Sequence, residues 1–216
     1  MKPIEFVRSA AEGSVLAIIG PPRTGKSRLA KAAADAGCWP RRLIFEPHGL
    51  RDRIEATRGR QLYPWRGVLV TVGQLLATPA MLDRDPLRLV VVPEARGEEA
   101  RGRDFAAVGD LAWSTGGLTV IGEEFAIYAR RAVEVANLIA TGGGHAGMRL
   151  VVISQSWGRI PVDVRRCVSH LACFGASDAG DIKALRQTIG KRRTAAVAAL
   201  QVGDPPILWR QGDAAT

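Results

Sequence analysis

The chain has 216 residues, of which 47% are hydrophobic and 24% charged, a balance that suits one globular domain with a full core and excludes disorder over most of its length. No apolar run approaches the ~18 residues of a membrane span. The formal net charge is +9, which favours polyanionic partners.

The start, MKPIEFVRSAAEG, is charged throughout and lacks an apolar signal core, which argues against export and for a cytoplasmic protein. Short runs rich in Val, Ile and Leu then alternate with helical stretches. The runs fall at 15–19, 43–45, 68–72, 87–92, 118–121, 150–153, 171–174 and 207–209. They lack strict alternation, as strands buried on both faces do. Helices are expected at 26–36, 104–114, 124–140 and 178–189. Strand-then-helix alternation implies an α/β layered domain with a mainly parallel sheet.

The first strand runs straight into Gly20-Pro21-Pro22-Arg23-Thr24-Gly25-Lys26-Ser27, which is G-x-x-x-x-G-K-S, the Walker A phosphate loop. Gly20 and Gly25 permit turns that a side chain resists. The loop amides and the helix N-terminus, from Gly20 through Arg28, face the phosphates. Lys26 places its charge on the β- and γ-phosphates of ATP, and the Ser27 hydroxyl binds Mg²⁺.

Phosphate loops serve kinases, switches and motors alike. The next motif narrows the choice. The strand at 118–121 leads through Gly122 into Glu123-Glu124, which resembles a Walker B element. Glu123 would hold Mg²⁺ through its water shell, and Glu124 would polarise the attacking water. Gly122 would give the strand end slack. A kinase has no need of the second acid, so the pair favours hydrolysis. The alternative is that both carboxylates cap a helix beginning at Phe125. The strand at 150–153 ends in Ser154-Gln155, where Gln155 can bond both the attacking water and the γ-phosphate and sense the bound nucleotide.

Three further features stand apart from these motifs. The segment 93–104 (PEARGEEARGRD) reads as an exposed loop. The segment 51–66 carries Arg51, Arg53, Arg58, Arg60 and Arg66, either simply solvated or touching a polyanion. Cys38, Cys167 and Cys173 share no metal-ligand spacing and read as reduced core thiols of a cytosolic protein. Five of the 30 basic residues are lysines (Lys2, Lys26, Lys31, Lys183 and Lys191) and the rest are arginines, whose forks fit phosphate oxygens.

The order of the phosphate loop, Glu46-Pro47-His48-Gly49 after the second strand, Glu123-Glu124, and Gly-His-Ala-Gly-Met at 144–148 before Ser154-Gln155 resembles the FtsK/HerA superfamily of DNA-pumping ATPases. It is similar in particular to the small genome-packaging ATPases of tailless, membrane-containing double-stranded DNA viruses. The resemblance spans roughly residues 14–210. It implies a three-layer P-loop NTPase of the additional-strand, catalytic-glutamate type over residues 1–216. It also implies a ring of five or six subunits around double-stranded DNA, read without sequence preference, in the host cytoplasm or at a virion vertex, where capsid or viral membrane proteins would dock it. Lys26, Ser27, Glu123, Glu124 and Gln155 match the family's motif positions.

Glu123 stands where most Walker B motifs carry Asp, and the chain departs from the family pattern in two further places. Glu46 stands where members often carry Asp, and Gly144 stands before His145 where members often carry Arg. Ring ATPases commonly need an arginine from a neighbouring subunit, and Arg130, Arg131, Arg149, Arg159, Arg165 and Arg166 are the candidates, with the segment 157–166 foremost. The competing readings are a small-molecule P-loop kinase, with Lys191-Arg192-Arg193 imitating a lid, and an assembly or secretion ATPase like those of filamentous phages.

Overall fold

The computed structural model describes residues 1–48, 65–94, 96–176 and 178–213. A short helix, α1 (Pro3–Arg8), precedes β1 (Val15–Ile19) and the phosphate-loop helix α2 (Lys26–Asp35). Then come β2 (Arg42–Phe45), β3 (Val68–Thr71), α3 (Val72–Ala77), β4 (Arg88–Val92), α4 (Glu98–Thr115) and β5 (Thr119–Gly122). The chain continues through α5 (Val133–Gly142), β6 (Arg149–Ser154), α6 (Val162–Arg166), β7 (Val168–Cys173), α7 (Ala179–Ile189), α8 (Lys191–Ala198) and β8 (Ile207–Arg210).

The strands form one sheet in the order β3-β4-β2-β5-β6-β1-β7-β8. Neighbours are parallel except β7 and β8, which pair antiparallel. Successive strand residues face opposite sides, so each strand feeds two cores. Leu16, Ile18, Ile44, Ile121, Val151 and Ile153 pack against α1 and α2 through Phe6, Leu29, Ala30 and Ala33. Ala17, Leu43, Phe45, Val120 and Val152 pack on the other face against Phe105, Val108, Val135 and Ile139 of α4 and α5. The result is a helix–sheet–helix sandwich.

β6 stands between the phosphate-loop strand β1 and the carboxylate strand β5. That inserted strand is the mark of the additional-strand type. It sets Gln155, at the end of β6, between the phosphate loop and Glu124. All eight expected strands form. The outer strands are half exposed: Val68 and Leu69 of β3 are solvent-facing, as is Arg210 of β8.

Two expectations need correction. The charged segment 93–104 is helical from Glu98 onward. Glu98, Glu99 and Arg103 are exposed and Arg101 and Asp104 half-buried, while Gly102 is buried so closely against Arg131 that a Cβ there would lie 2.3 Å from the Arg131 Cβ. The expected helix 124–140 is not continuous. A 3₁₀ turn at Phe125–Ile127 and a turn through Tyr128 to Ala132 precede α5. Phe125 and Tyr128 are both buried and stack edge-on at 5.6 Å, which ties this turn into the core. Arg51, Arg53, Arg58 and Arg60 lie outside the described residues, as does Gly49. Arg66 is exposed and sits 3.8 Å from an Asp35 oxygen.

Candidate nucleotide-binding and hydrolysis site

The phosphate loop leaves the C-terminal edge of the sheet after Ile19. Gly20 adopts φ +155°, and a Cβ there would lie 2.7 Å from the Cβ of Phe174, so only glycine lets the loop pass that wall. Gly25 takes φ +105° at the N-cap of α2, and Arg23 takes a left-handed φ of +65° at the loop tip. The Thr24 hydroxyl donates to the Pro21 carbonyl at 2.8 Å and pins the turn. The amides of the first helical turn have no carbonyl partners within the helix.

Lys26 is 5% exposed and its Nζ donates to the Pro21 carbonyl at 2.8 Å. Burial holds its ammonium below the usual lysine range, and the Glu124 and Glu123 carboxylates oppose that shift. The Ser27 hydroxyl donates to Oε1 of Glu123. Glu123 is 7% exposed, and its Oε2 is buried without a partner among the described residues. Burial pushes its carboxyl up to about 7; the Ser27 bond opposes this and the Glu46 charge reinforces it.

Glu124 adopts φ +47°, ψ +42° and makes no capping bond with its side chain. Its Oε1 accepts from Nε2 of Gln155 at 2.8 Å. The helix-capping alternative therefore has no geometric support. Lys26, Ser27, Arg28, Glu124 and Gln155 line one cleft of about 470 Å³ together with residues 22–25 and Val202-Gly203. Pro21 lines a neighbouring cavity beyond Gln155. Val202 and Gly203 belong to the segment before β8 and carry no motif that could have announced them.

Gly122 does not supply slack. A Cβ there would lie 2.5 Å from the Phe125 ring and 2.7 Å from the Tyr128 hydroxyl, so glycine is required by crowding. Glu46 ends β2 beside the same carboxylates, is buried, and accepts from the His48 amide at 3.4 Å. The sequence offered Glu46 only as a departure from a family pattern; its place among the acids follows from β2 neighbouring β5.

Gly144 and His145 precede the N-terminal end of β6. β1 and β6 are parallel with Val15 opposite Leu150, so this segment lies at the sheet edge opposite the phosphate loop. The arginine candidates separate in the same way. Arg149 starts β6 at that far edge and donates to the carbonyls of Ala11 and Cys38. Arg131 pairs with Glu99 at 3.7 Å and Arg166 with Asp163 at 3.3 Å, while Arg130 donates to the Arg159 carbonyl. Arg159 and Arg165 line a cavity of about 700 Å³ with Pro21, Pro22 and Gln155, and Nε of Arg165 also donates to the Ile160 carbonyl at 3.1 Å.

The sheet order and the loop define the P-loop NTPase fold with an inserted strand and two acids at the carboxylate strand. Among solved structures, the chain is similar to B204, the DNA-packaging ATPase from Sulfolobus Turreted Icosahedral Virus, at 18% identity. That match covers 89% of this chain and 90% of that one, with a TM-score of 0.62. The genome packaging NTPase B204 from Sulfolobus turreted icosahedral virus 2, in complex with ATP-gammaS, is similar at 16% identity over 93% of each chain, with a TM-score of 0.67. ATPases 2 and 3 of Thermomonospora curvata EccC match 91% of this chain and 36% of that one, at 13% identity and a TM-score of 0.51. No protein-family model matches the chain, and no curated protein matches it in sequence. Among the described residues no helix is long and apolar enough to cross a membrane.

Proposed function

We propose that the chain is an ATP-hydrolysing motor of the FtsK/HerA type that moves double-stranded DNA, in the manner of a viral genome-packaging ATPase. The observation that supports it most is the meeting of three strand ends at one cleft: the phosphate loop and Glu124, held by Gln155, line it, and Glu123 lies buried on the loop's serine.

In this reading Lys26 and the loop amides bind the β- and γ-phosphates. The donor set fits a divalent cation: Glu123 is a buried carboxylate with one oxygen unpartnered among the described residues, beside a hydroxyl, an arrangement that a bound cation would relieve. When bound, Mg²⁺ neutralises phosphate charge, with Ser27 and Glu123 as its protein ligands, directly or through water. Glu124 accepts the proton of a water as its oxygen bonds to the γ-phosphorus and the bond to the β-phosphate oxygen breaks, giving ADP and phosphate. Gln155 orients the Glu124 carboxylate for that task.

The partner reading rests on charge and fold. The net charge of +9 far exceeds what the cleft cations Arg23, Lys26 and Arg28 hold. The B204 proteins whose fold it shares are described as DNA-packaging and genome-packaging enzymes. A homo-oligomeric ring of five or six subunits would place its excess arginines along duplex DNA, contacting phosphates without reading bases. A capsid vertex or viral membrane protein would anchor it. The likeness to EccC keeps a secretion ATPase as the second reading.

The test is ATP turnover by the purified chain across a salt series, with and without duplex DNA, beside a panel of small phosphoacceptors. Turnover should rise with DNA of any sequence, and the gain should fall steeply with salt. Turnover that ignores DNA and appears only with a small acceptor would replace the motor by a kinase.

A further inference from the structure

Gln155 is exposed, so packing does not fix its side chain, and its aim at Glu124 depends on how the backbone at the end of β6 is held. A local tie and a distant one bear on that backbone. Locally, the Ser154 hydroxyl donates to the Ser156 carbonyl at 3.0 Å and accepts from the Ser156 amide at 3.3 Å, which closes the chain around Gln155. The distant tie comes from α7. Oδ1 of Asp181, in the first turn of that helix, accepts from the Ser156 hydroxyl at 2.8 Å and from the Gly158 amide at 2.7 Å. α7 follows β7, and the sheet order β6-β1-β7 puts the phosphate-loop strand between β7 and β6. The Asp181 bonds therefore reach from one side of the phosphate loop to the other, and Asp181, Pro21 and Gln155 line one cavity.

Asp181 is 5% exposed and is in no ion pair among the described residues. A carboxylate buried in that way is costly unless hydrogen bonds replace its water. Its place in a first helical turn does not account for it, because Asp178 caps α7: Oδ1 of Asp178 accepts from the Gly180 and Asp181 amides at 2.8 and 3.1 Å. Oδ1 of Asp181 serves the segment after Gln155 instead. Gly158 permits the close approach, since a Cβ there would lie 3.1 Å from that same oxygen.

We propose that Asp181 is a positioning residue for hydrolysis: it holds residues 156–158 so that Gln155 keeps Glu124 aimed, and it acts on turnover only through Gln155. The proposal rests on the reading of Glu124 as the proton acceptor with Gln155 as its orienting partner, and it extends that chain to a helix outside the motifs. The chain runs from Asp181 through Ser156 and Gly158 to the Gln155 amide and the Glu124 carboxylate. Oδ1 accepts both bonds by itself, so an amide oxygen in its place serves equally and the negative charge is not required.

The experiment is a double-mutant cycle on ATP turnover by the purified chain with Mg²⁺ and duplex DNA, with ATP binding measured beside it. Asp181→Ala should lower kcat about fivefold and leave ATP affinity within about twofold of the parent. Trp157, between the two tied residues, stays in the core and keeps the segment folded. In the Gln155→Ala background the same change should lower kcat by less than about twofold, because the partner through which it acts is gone. Asp181→Asn should turn over within about twofold of the parent, since its Oδ1 still accepts both bonds. Ser156→Ala, which removes one bond of the two, should lower kcat about two- to threefold, again only where Gln155 is present. Losses that multiply in the double variant would overturn the proposal, because Asp181 would then act apart from Gln155. So would ATP affinity that falls in step with turnover, or an Asp181→Asn protein as slow as Asp181→Ala. If Asp181→Ala does not fold, Ser156→Ala decides, and parental turnover by that variant overturns the proposal. A parent that turns over no ATP overturns the hydrolysis reading itself. A parent that turns over ATP and is matched by Asp181→Ala leaves that reading standing and removes Asp181 from it.

Discussion

The side-chain amide of Gln155 donates to Oε1 of Glu124 at 2.8 Å, joining the ends of the adjacent strands β6 and β5. Glu124 sits in a left-handed backbone conformation that L-residues rarely adopt, and its side chain makes no capping bond to the 3₁₀ turn that follows. A non-glycine residue held there, at the rim of the phosphate cleft, marks a position fixed by its surroundings.

Glu124→Gln should keep ATP binding and lower turnover by about a hundredfold or more, since the lost function is proton acceptance. Gln155→Ala should lower turnover less, by about tenfold, because Glu124 remains but is less well oriented. Steady-state turnover beside nucleotide binding checks both. Small, equal effects from the two changes would remove Glu124 from the chemistry.

Lys26→Ala should abolish measurable turnover and greatly weaken ATP affinity. The loop has no other lysine, and Lys26 is buried on the Pro21 carbonyl at the start of α2. Nucleotide titration with turnover measured in parallel decides it. A variant that hydrolyses ATP at the parental rate would show that the loop is not the catalytic phosphate site.

The Glu123 carboxyl gives a pH signature. Burial raises it from its ordinary 4.5 to about 7, so the folded protein binds more protons than the unfolded chain between those values. Its contribution is therefore fully present below about pH 4.5 and is lost as pH rises through about 7. Without Mg²⁺ or nucleotide, the parent should lose stability relative to Glu123→Gln between pH 5 and 8, by about 3 kcal/mol at most. Denaturant unfolding of the two proteins at several pH values measures this. Parallel pH profiles would show that Glu123 ionises normally. The same change should weaken Mg²⁺ dependence of nucleotide binding, since Glu123 sits on the Ser27 hydroxyl.

Much of this site was legible in the sequence for a specific reason. The strands carrying it are buried on both faces and read as continuous apolar runs, so the residues at their C-terminal ends, Gly20, Glu123 and Gln155, fall where the runs stop. What escaped is what long-range packing decides. The turn from Phe125 to Ala132 has helical periodicity but is fixed instead by Phe125 and Tyr128 sealing against Phe105, with rings 5.7 and 4.9 Å away. The start of α4 is too charged to read as a helix, and its buried contact is a glycine, which leaves no hydrophobic signal. Val202 and Gly203 reach the cleft only because β8 folds back antiparallel on β7.

Gly122 shows how that packing acts on the chemistry. Gly122→Ala would drive a methyl group to 2.5 Å from the Phe125 ring and 2.7 Å from the Tyr128 hydroxyl, both immobile in the core. The strand end must shift, carrying Glu123 and Glu124 with it. Stability should drop by about 1–3 kcal/mol, and turnover should fall more than nucleotide affinity does. Denaturant unfolding with a KM-against-kcat comparison tests this; unchanged stability would mean that the turn relaxes freely.

The arginine question can be settled by mixing subunits. Arg149 is engaged with Ala11 and Cys38 at the far sheet edge, so Arg149→Ala should destabilise the fold and act on turnover only through that loss. Arg159 and Arg165 line the cavity beside Pro21, Pro22 and Gln155, within the same edge as the phosphate loop. If either completes the γ-phosphate site of a neighbouring subunit, its alanine variant should bind ATP and turn over slowly, at about a thousandth of the parental rate or less, with Arg159→Ala folding normally and Arg165→Ala losing only its bond to the Ile160 carbonyl. Mixed with Lys26→Ala subunits, that variant should regain activity. The mixture brings intact phosphate loops next to neighbours that still carry the arginine. The check is turnover of the two inactive proteins alone and combined, with duplex DNA present to support assembly. An Arg159→Ala or Arg165→Ala protein that stays inactive in every mixture acts on its own site in cis. One that is fully active alone takes no part in the reaction.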